Sequence, residues 1–315
     1  MELVWDAGYL VIGLVLLFLG GEGLVRGATS IATRFGLSRL IVGLVIVGFG
    51  TSAPELLVSI QAALAGSPDI SAGNVVGSNI ANVLLIIGVA AAIAPLANTD
   101  PSIRRDLIVM VAASVLLEGL FLLGMIDRLG GLLLFAAFAL YLTASYLIER
   151  KRQAGGPGDD PAGDPPMGTL KAALGVLIGI AMLVFGAHFL VEGATGIARD
   201  VGISEAVIGL TIVALGTSLP ELATAIVASR KNEAEVVLAN IVGSSIFNIL
   251  CILGITALIE PITIADRFAR ADGPIMVAVA VAAAIYLFTC RQINRVTGLA
   301  LVGLYAVYMG VQNMI

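Results

Sequence analysis

Two stretches of the chain repeat one another. Residues 50–55 read GTSAPE and residues 216–221 read GTSLPE, and each is followed by a second shared phrase, GNVVGSNIAN at 73–82 and ANIVGSSIFN at 239–248. Matched positions stand 166 residues apart, and 21 of the 48 positions from 41 to 88 are identical to their counterparts. Both copies are strongly apolar, and both carry one glutamate in the first phrase, Glu55 and Glu221. A carboxylate is expensive at membrane depth, so an intramembrane acid marks a functional site. Two of them at equivalent repeat positions point to one site built by both halves.

That depth argument needs a membrane, and composition supplies it. The chain is 59% hydrophobic and 12% charged, with a mean hydropathy of +1.04; a soluble domain carries roughly 25% charged residues. A crossing takes about 20 apolar residues, and ten runs qualify: 8–33, 38–64, 70–95, 104–125, 129–148, 169–198, 204–229, 235–260, 273–290 and 295–314. They are continuous rather than alternating, which excludes a transmembrane β-barrel. Residues 149–168, ERKRQAGGPGDDPAGDPPMG, are charged and rich in Gly and Pro, and read as a linker.

The linker leaves five spans on each side. An odd number of spans makes the second copy enter the membrane inverted, so the expected fold is an all-α integral membrane protein. Residues 1–148 and 169–315 form two inverted five-helix repeats, an architecture common among secondary transporters. Lys and Arg concentrate in one set of loops (Arg34, Arg39, Arg104, Arg105, Arg150, Lys151, Arg152, Lys171, Arg230, Lys231, Arg291, Arg295), against Arg128, Arg199, Arg267 and Arg270 in the other. The positive-inside rule places the first set and the linker in the cytoplasm and both termini outside. The first run lacks a basic leader and reads as a retained span.

The motif itself dictates local chemistry. Pro54 has no N–H and disfavours helix at the residue before it, and Gly50 adds a second weak point, so the helix breaks near 51–53. The same holds around Gly216, Thr217 and Pro220. Carbonyl oxygens freed at membrane depth survive only where something else uses them, and a cation is a good candidate. Thr and Ser hydroxyls add neutral oxygens and the glutamates add charge, a donor set suited to hard cations such as Ca²⁺, Na⁺ or Mg²⁺. Soft or borderline metals favour His or Cys, and neither is near. In the second phrase, Asn82 lies four residues after Ser78 and Asn248 four after Ser244, so each pair shares a helical face; Asn74 and Asn240 fall one turn earlier on it.

With these residues in place, both halves resemble the α-repeats of the sodium/calcium exchanger family, within the calcium/cation antiporters. The resemblance covers nearly the whole chain, and it implies a broken-helix, midplane site. Ca²⁺ would be held by Glu55 and Glu221 with main-chain oxygens of Thr51 and Thr217. Flanking Na⁺ sites would use Thr51, Ser52, Ser78 and the Gly48 carbonyl, mirrored by Thr217, Ser218, Ser244 and the Ala214 carbonyl. Asn82 and Asn248 would line the site. The two long helices 8–33 and 169–198 would slide across the rest to give alternating access. Some relatives, including the potassium-dependent branch, have Asp where this chain has Asn248, which argues against K⁺ co-transport. A linker of this length leaves no room for a regulatory domain.

The expected function is therefore Na⁺/Ca²⁺ antiport in a prokaryotic plasma membrane. H⁺/Ca²⁺ or other divalent-cation exchange, with the glutamates carrying protons, is the alternative. The partners are the two transported ions and membrane lipid, with no cofactor and no nucleic acid, and a monomer suffices. An enzyme is not expected, because no G-x-S-x-G elbow accompanies His188 and the core runs hold no pair of aspartates. Cys251, Cys290 and His188 read as packing or interface residues. The glycines of the first run (Gly20, Gly21, Gly23, Gly27) read as helix contacts.

Overall fold

The computed structural model describes residues 2–35, 47–97, 101–153, 167–200, 214–290 and 292–312. The first residues of the expected spans at 38 and 204, and most of the 149–168 linker, lie outside the described residues. The elements are α1 (Glu2–Phe35), a short α2 (Gly48–Thr51), α3 (Ala53–Leu64), α4 (Pro68–Ile93), α5 (Pro101–Phe121), α6 (Arg128–Gln153) and α7 (Thr169–Asp200). After these come a single turn α8 (Ala214–Gly216), α9 (Leu219–Arg230), α10 (Ala234–Ile259), α11 (Phe268–Cys290) and α12 (Arg295–Gln312). Six of them (within α1, α4, α6, α7, α10 and α11) are long and apolar enough to cross a membrane.

Among the described residues the all-α expectation holds apart from four two-residue strands, which sequence pattern did not signal. Leu96–Ala97 pairs antiparallel with Gln292–Ile293, and Met125–Ile126 with Ile262–Thr263. Each strand joins the end of a helix in one half to the opposite half, so the halves are clasped rather than merely adjacent.

The inversion is visible in how α1 and α7 pack. Glycines recur every seven residues in both, at Gly13, Gly20 and Gly27 and at Gly179, Gly186 and Gly193. A methyl group at Gly20 would fall 2.9 Å from the Gly179 carbonyl oxygen, and one at Gly186 would fall 3.0 Å from that of Gly13. One residue number rises as its partner's falls, so the helices run antiparallel. The repeat offset converts the Gly13–Gly186 contact into the Gly20–Gly179 contact, as a two-fold axis in the membrane plane requires. Without side chains in between, the backbones approach closely, the usual means of helix association in lipid.

Around this pair the remaining helices form the core. α10 is buried along its whole apolar length and α4 over most of its own, while α1, α6, α7 and α11 present broad faces outward. Equivalent contacts again cross between halves: α12 on the C-terminal part of α4, α6 on that of α10, and α5 on α11. The two glutamate-bearing helices, α3 and α9, lie inside this frame.

Candidate ion-binding site

Both helix breaks occur where Pro and Gly place them. α2 ends at Thr51, Ser52 leaves the helical region (φ −87°, ψ 8°), and α3 restarts with Pro54 in its first turn. In the second half Ser218 has nearly the same geometry (φ −89°, ψ 4°) ahead of α9 and Pro220. Pro is tolerated there because the N–H groups of a helix's first turn have no intrahelical acceptor, so its missing N–H breaks no bond. Glu55 and Glu221 therefore sit in the first turns of α3 and α9, where the N-terminal end of the helix dipole favours negative charge.

Packing brings the expected residues of both halves together. Ser52 donates its hydroxyl to Glu221 Oε1 at 2.7 Å, across the repeat boundary. The Ser218 hydroxyl faces the Glu55 carboxyl and lies 3.3 Å from Ser78 Oγ. Asn82 Nδ2 donates to Ser245 Oγ at 3.4 Å. Glu55 and Glu221 are each 1% exposed, and Thr51, Ser52, Ser78, Ser218, Ser244, Asn82 and Asn248 are buried with them. Gly48 is buried beside Thr51, Ala214 opens α8, and Thr217 keeps partial exposure.

The distribution of unsatisfied atoms is the site's strongest signature. Glu55 Oε2, Glu221 Oε2, Asn82 Oδ1, Asn248 Oδ1 and Ser244 Oγ are all buried without a hydrogen-bond partner. These are oxygens able to accept, and buried groups of this kind are normally paired. Among the described residues no ion pair involves Glu55 or Glu221, and no group of three His, Cys, Asp or Glu side chains gathers anywhere. Two carboxylates amid neutral oxygens, with no cationic side chain beside them, need their charge balanced by a cation or by protons. A cavity of about 370 Å³ between α4, α11 and α12 is lined by apolar side chains and lies apart from these oxygens.

Two features escaped the sequence reading. α4 and α10 each widen into a π-helical turn at the site, Asn82–Ile86 and Phe247–Ile252. Such turns recur at functional sites and re-aim the side chains they carry, here Asn82 and Asn248. The second is a pair of buried aspartates at matching repeat positions, Asp106 and Asp272, where none was expected. Unlike the glutamates, each has an arginine: Arg105 lies 2.7 Å from Asp106 and Arg267 lies 2.9 Å from Asp272. Tyr308 adds a bond to Asp272 at 3.4 Å, and Tyr141 stands beside Asp106. Their charge is met within the protein, so they act as helix clasps. The expectation that the core runs hold no pair of aspartates is corrected by Asp106, inside the run 104–125, and Asp272, just before the run 273–290.

Two further expectations are corrected. His188 is not an interface residue; its side chain is exposed and pairs with Glu192 at 3.2 Å. Cys251 is buried but Cys290 is exposed, and neither forms a disulfide. The Glu118 carboxylate, on which the sequence carried no expectation, folds over Gly273 of α11.

Known proteins resemble this chain over nearly its whole length. A family model described as "Sodium/calcium exchanger protein" matches residues 5–147 and 171–314. The inner membrane protein YrbG of Escherichia coli (strain K12) is 36% identical over 95% of this chain and 94% of its own. The sodium/calcium exchanger MaX1 of Methanosarcina acetivorans is 33% identical, covering 95% of this chain and 96% of its own. Among solved structures, the sodium-calcium exchanger NCX_Mj soaked with Na⁺ and Ca²⁺ superposes with a TM-score of 0.83 at 28% identity, over 97% of each chain.

Proposed function

This chain belongs to the sodium/calcium exchanger family, and we propose that within it the protein exchanges Na⁺ for Ca²⁺ by alternating access. Cation/Ca²⁺ antiport follows from the family; the choice of Na⁺ over H⁺ is our reading. The observation that carries it is the hydroxyl-rich character of the site. Ser52 reaches Glu221 at 2.7 Å and Ser218 faces Glu55, so each carboxylate is flanked by neutral oxygens that a proton carrier has no use for and a Na⁺ ion does.

In this reading Glu55 and Glu221 hold Ca²⁺ from opposite sides, with main-chain oxygens of Thr51 and Thr217. Ser52, Ser78 and the Gly48 carbonyl, and in mirror image Ser218, Ser244 and the Ala214 carbonyl, take Na⁺. Asn82 and Asn248 turn their free carbonyl oxygens toward the ions. Because both ions need the same carboxylates, they compete, and competition at a shared site couples their opposite movements. Residues 1–148 and 169–315 act as inverted halves in a prokaryotic plasma membrane, with the 149–168 linker cytoplasmic and both termini outside. A cytoplasm-active reporter fused to the C-terminus should stay silent.

The test is ⁴⁵Ca²⁺ uptake into proteoliposomes loaded with Na⁺ or with choline, across matched pH gradients. Uptake that requires internal Na⁺ and ignores the pH gradient is expected. Uptake driven by the proton gradient without Na⁺ would make the glutamates proton carriers instead.

A further inference from the structure

The two halves carry the same threonine, serine, glutamate and asparagine at Thr51/Thr217, Ser52/Ser218, Glu55/Glu221 and Asn74/Asn240, yet they hold different hydrogen bonds. Asn74, on α4, donates Nδ2 to the Glu55 carbonyl oxygen at 3.1 Å and to Ser59 Oγ at 2.9 Å. Its Oδ1 accepts from Thr217 Oγ1, on the opposite half's broken helix, at 3.3 Å. The counterpart of Thr217 behaves otherwise: Thr51 turns its hydroxyl back onto the carbonyls of Val47 (3.0 Å) and Gly48 (3.3 Å). The counterpart of Asn74 is left over. Asn240 is 0% exposed, and neither its Nδ2 nor its Oδ1 has a partner.

A buried amide unpaired at both ends is costly, and the repeat symmetry indicates what would relieve it. α10, which carries Asn240, packs against Gly48–Thr51 just as α4 packs against Ala214–Gly216. Asn240 thus stands to Thr51 as Asn74 stands to Thr217. Swinging the Thr51 hydroxyl off its own helix and onto Asn240 Oδ1 would close the mirror-image bond, with Asn240 Nδ2 turned to the Glu221 carbonyl.

That swing has a consequence for the ions. The Gly48 carbonyl now accepts from both Ser52 N (3.1 Å) and Thr51 Oγ1 (3.3 Å), which uses both of its lone pairs. In the second half Ser218 N bonds to the Leu215 carbonyl instead, at 3.1 Å, and the Thr217 hydroxyl points away to Asn74. Releasing Thr51 would free one lone pair of the Gly48 carbonyl.

We propose that Asn74 and Asn240 are positioning residues that close alternately on the threonine of the opposite half, and that the closed member decides which flanking carbonyl, Ala214's or Gly48's, is offered to a cation. The proposal rests on the antiport reading above and adds the device that ties ion access to conformation. The Asn74 clasp is closed in this structure. It is also the stronger one, because Ser59, which accepts from Asn74, is replaced in the second half by Ala225.

The test is ⁴⁵Ca²⁺ self-exchange in proteoliposomes holding uniformly oriented protein, with half-saturating Ca²⁺ measured on each side. The ratio of the two values does not depend on how much protein is folded. Asn74→Ala should shift this ratio about fivefold one way, the scale of one lost hydrogen bond. Asn240→Ala should shift it the opposite way, and the double variant should return it toward the parent. Asn74→Thr and Asn240→Thr, gentler changes, should follow the same signs. Single variants that both move the ratio in one direction, or leave it fixed, would overturn the clasp. A parent chain without any ⁴⁵Ca²⁺ self-exchange would instead overturn the antiport reading on which the clasp depends.

Discussion

Glu55 and Glu221 each bring one carboxylate oxygen into the site that no protein group satisfies, which makes the charge of both indispensable if a divalent ion is to leave water. Glu55→Gln and Glu221→Gln should each reduce ⁴⁵Ca²⁺ uptake by about a hundredfold or more, since a neutral amide cannot offset the desolvation of Ca²⁺. Uptake within a few-fold of the parent in either variant would remove that residue from the site. Ser52→Ala removes a 2.7 Å bond to Glu221. Its loss should raise the Na⁺ concentration for half-activation about tenfold or more, the scale of one hydrogen bond to a charged group, and an unchanged Na⁺ activation curve would count against the hydroxyl as a ligand. The glutamates and serines were legible because polar residues are conspicuous in apolar runs and Pro and Gly announce helix breaks. The bonds of Asn74 and the unpaired amide of Asn240 were not, because hydrogen-bond choice between symmetric residues is settled by packing.

At the scale of elements, the α1–α7 pair is the part suited to move. Its closest contacts are backbone against backbone at glycines seven residues apart, so fewer interdigitated side chains, among them Leu17, Leu24, Val176 and Leu183, hold one register. Gly20→Val would drive a side chain into the Gly179 carbonyl and the Leu183 amide. Overpacking of this kind costs roughly 1–3 kcal/mol. The expected result is transport slowed about tenfold or more with Ca²⁺ binding in detergent kept within about threefold; equal loss of both would show that the contact is merely structural. One bridge ties α1 to the inner frame: Lys231, just after α9, lies 2.8 Å from Glu22. The matching positions, Ala65 and His188, cannot form its mirror image. Lys231→Met should therefore change the turnover rate by up to about fivefold, in line with a partly exposed pair worth at most about 1 kcal/mol, and leave ion affinities unaltered. The glycines of the first run were legible as helix contacts, but their seven-residue spacing and the helix they would face were not read. The π turns left no compositional mark, since they alter hydrogen-bond register within an unbroken apolar run.

For the whole molecule, the offset of 166 residues carried most of the architecture: two equivalent halves and their inversion. Departures from symmetry were harder to see, and they matter because a perfectly symmetric pair of halves would leave opposite-facing states equal in energy. On one side Phe49, Phe138 and Phe247 pack together, with ring centroids 4.3–5.7 Å apart. At the repeat positions of Phe49 and Phe247 the chain has Leu215 and Ala81. Thr51, beside the aromatic cluster, is sealed, whereas Thr217 retains exposure, so the structure is closed more firmly on the Phe49 side. The central claim, one ion site built by both halves, is tested most directly by anomalous scattering from crystals grown with Ca²⁺. The account predicts one strong peak between Glu55 and Glu221, within about 2.3–2.6 Å of a carboxylate oxygen from each. A peak held by one half alone, or one at Asp106 or Asp272 with the space between the glutamates empty, would contradict it.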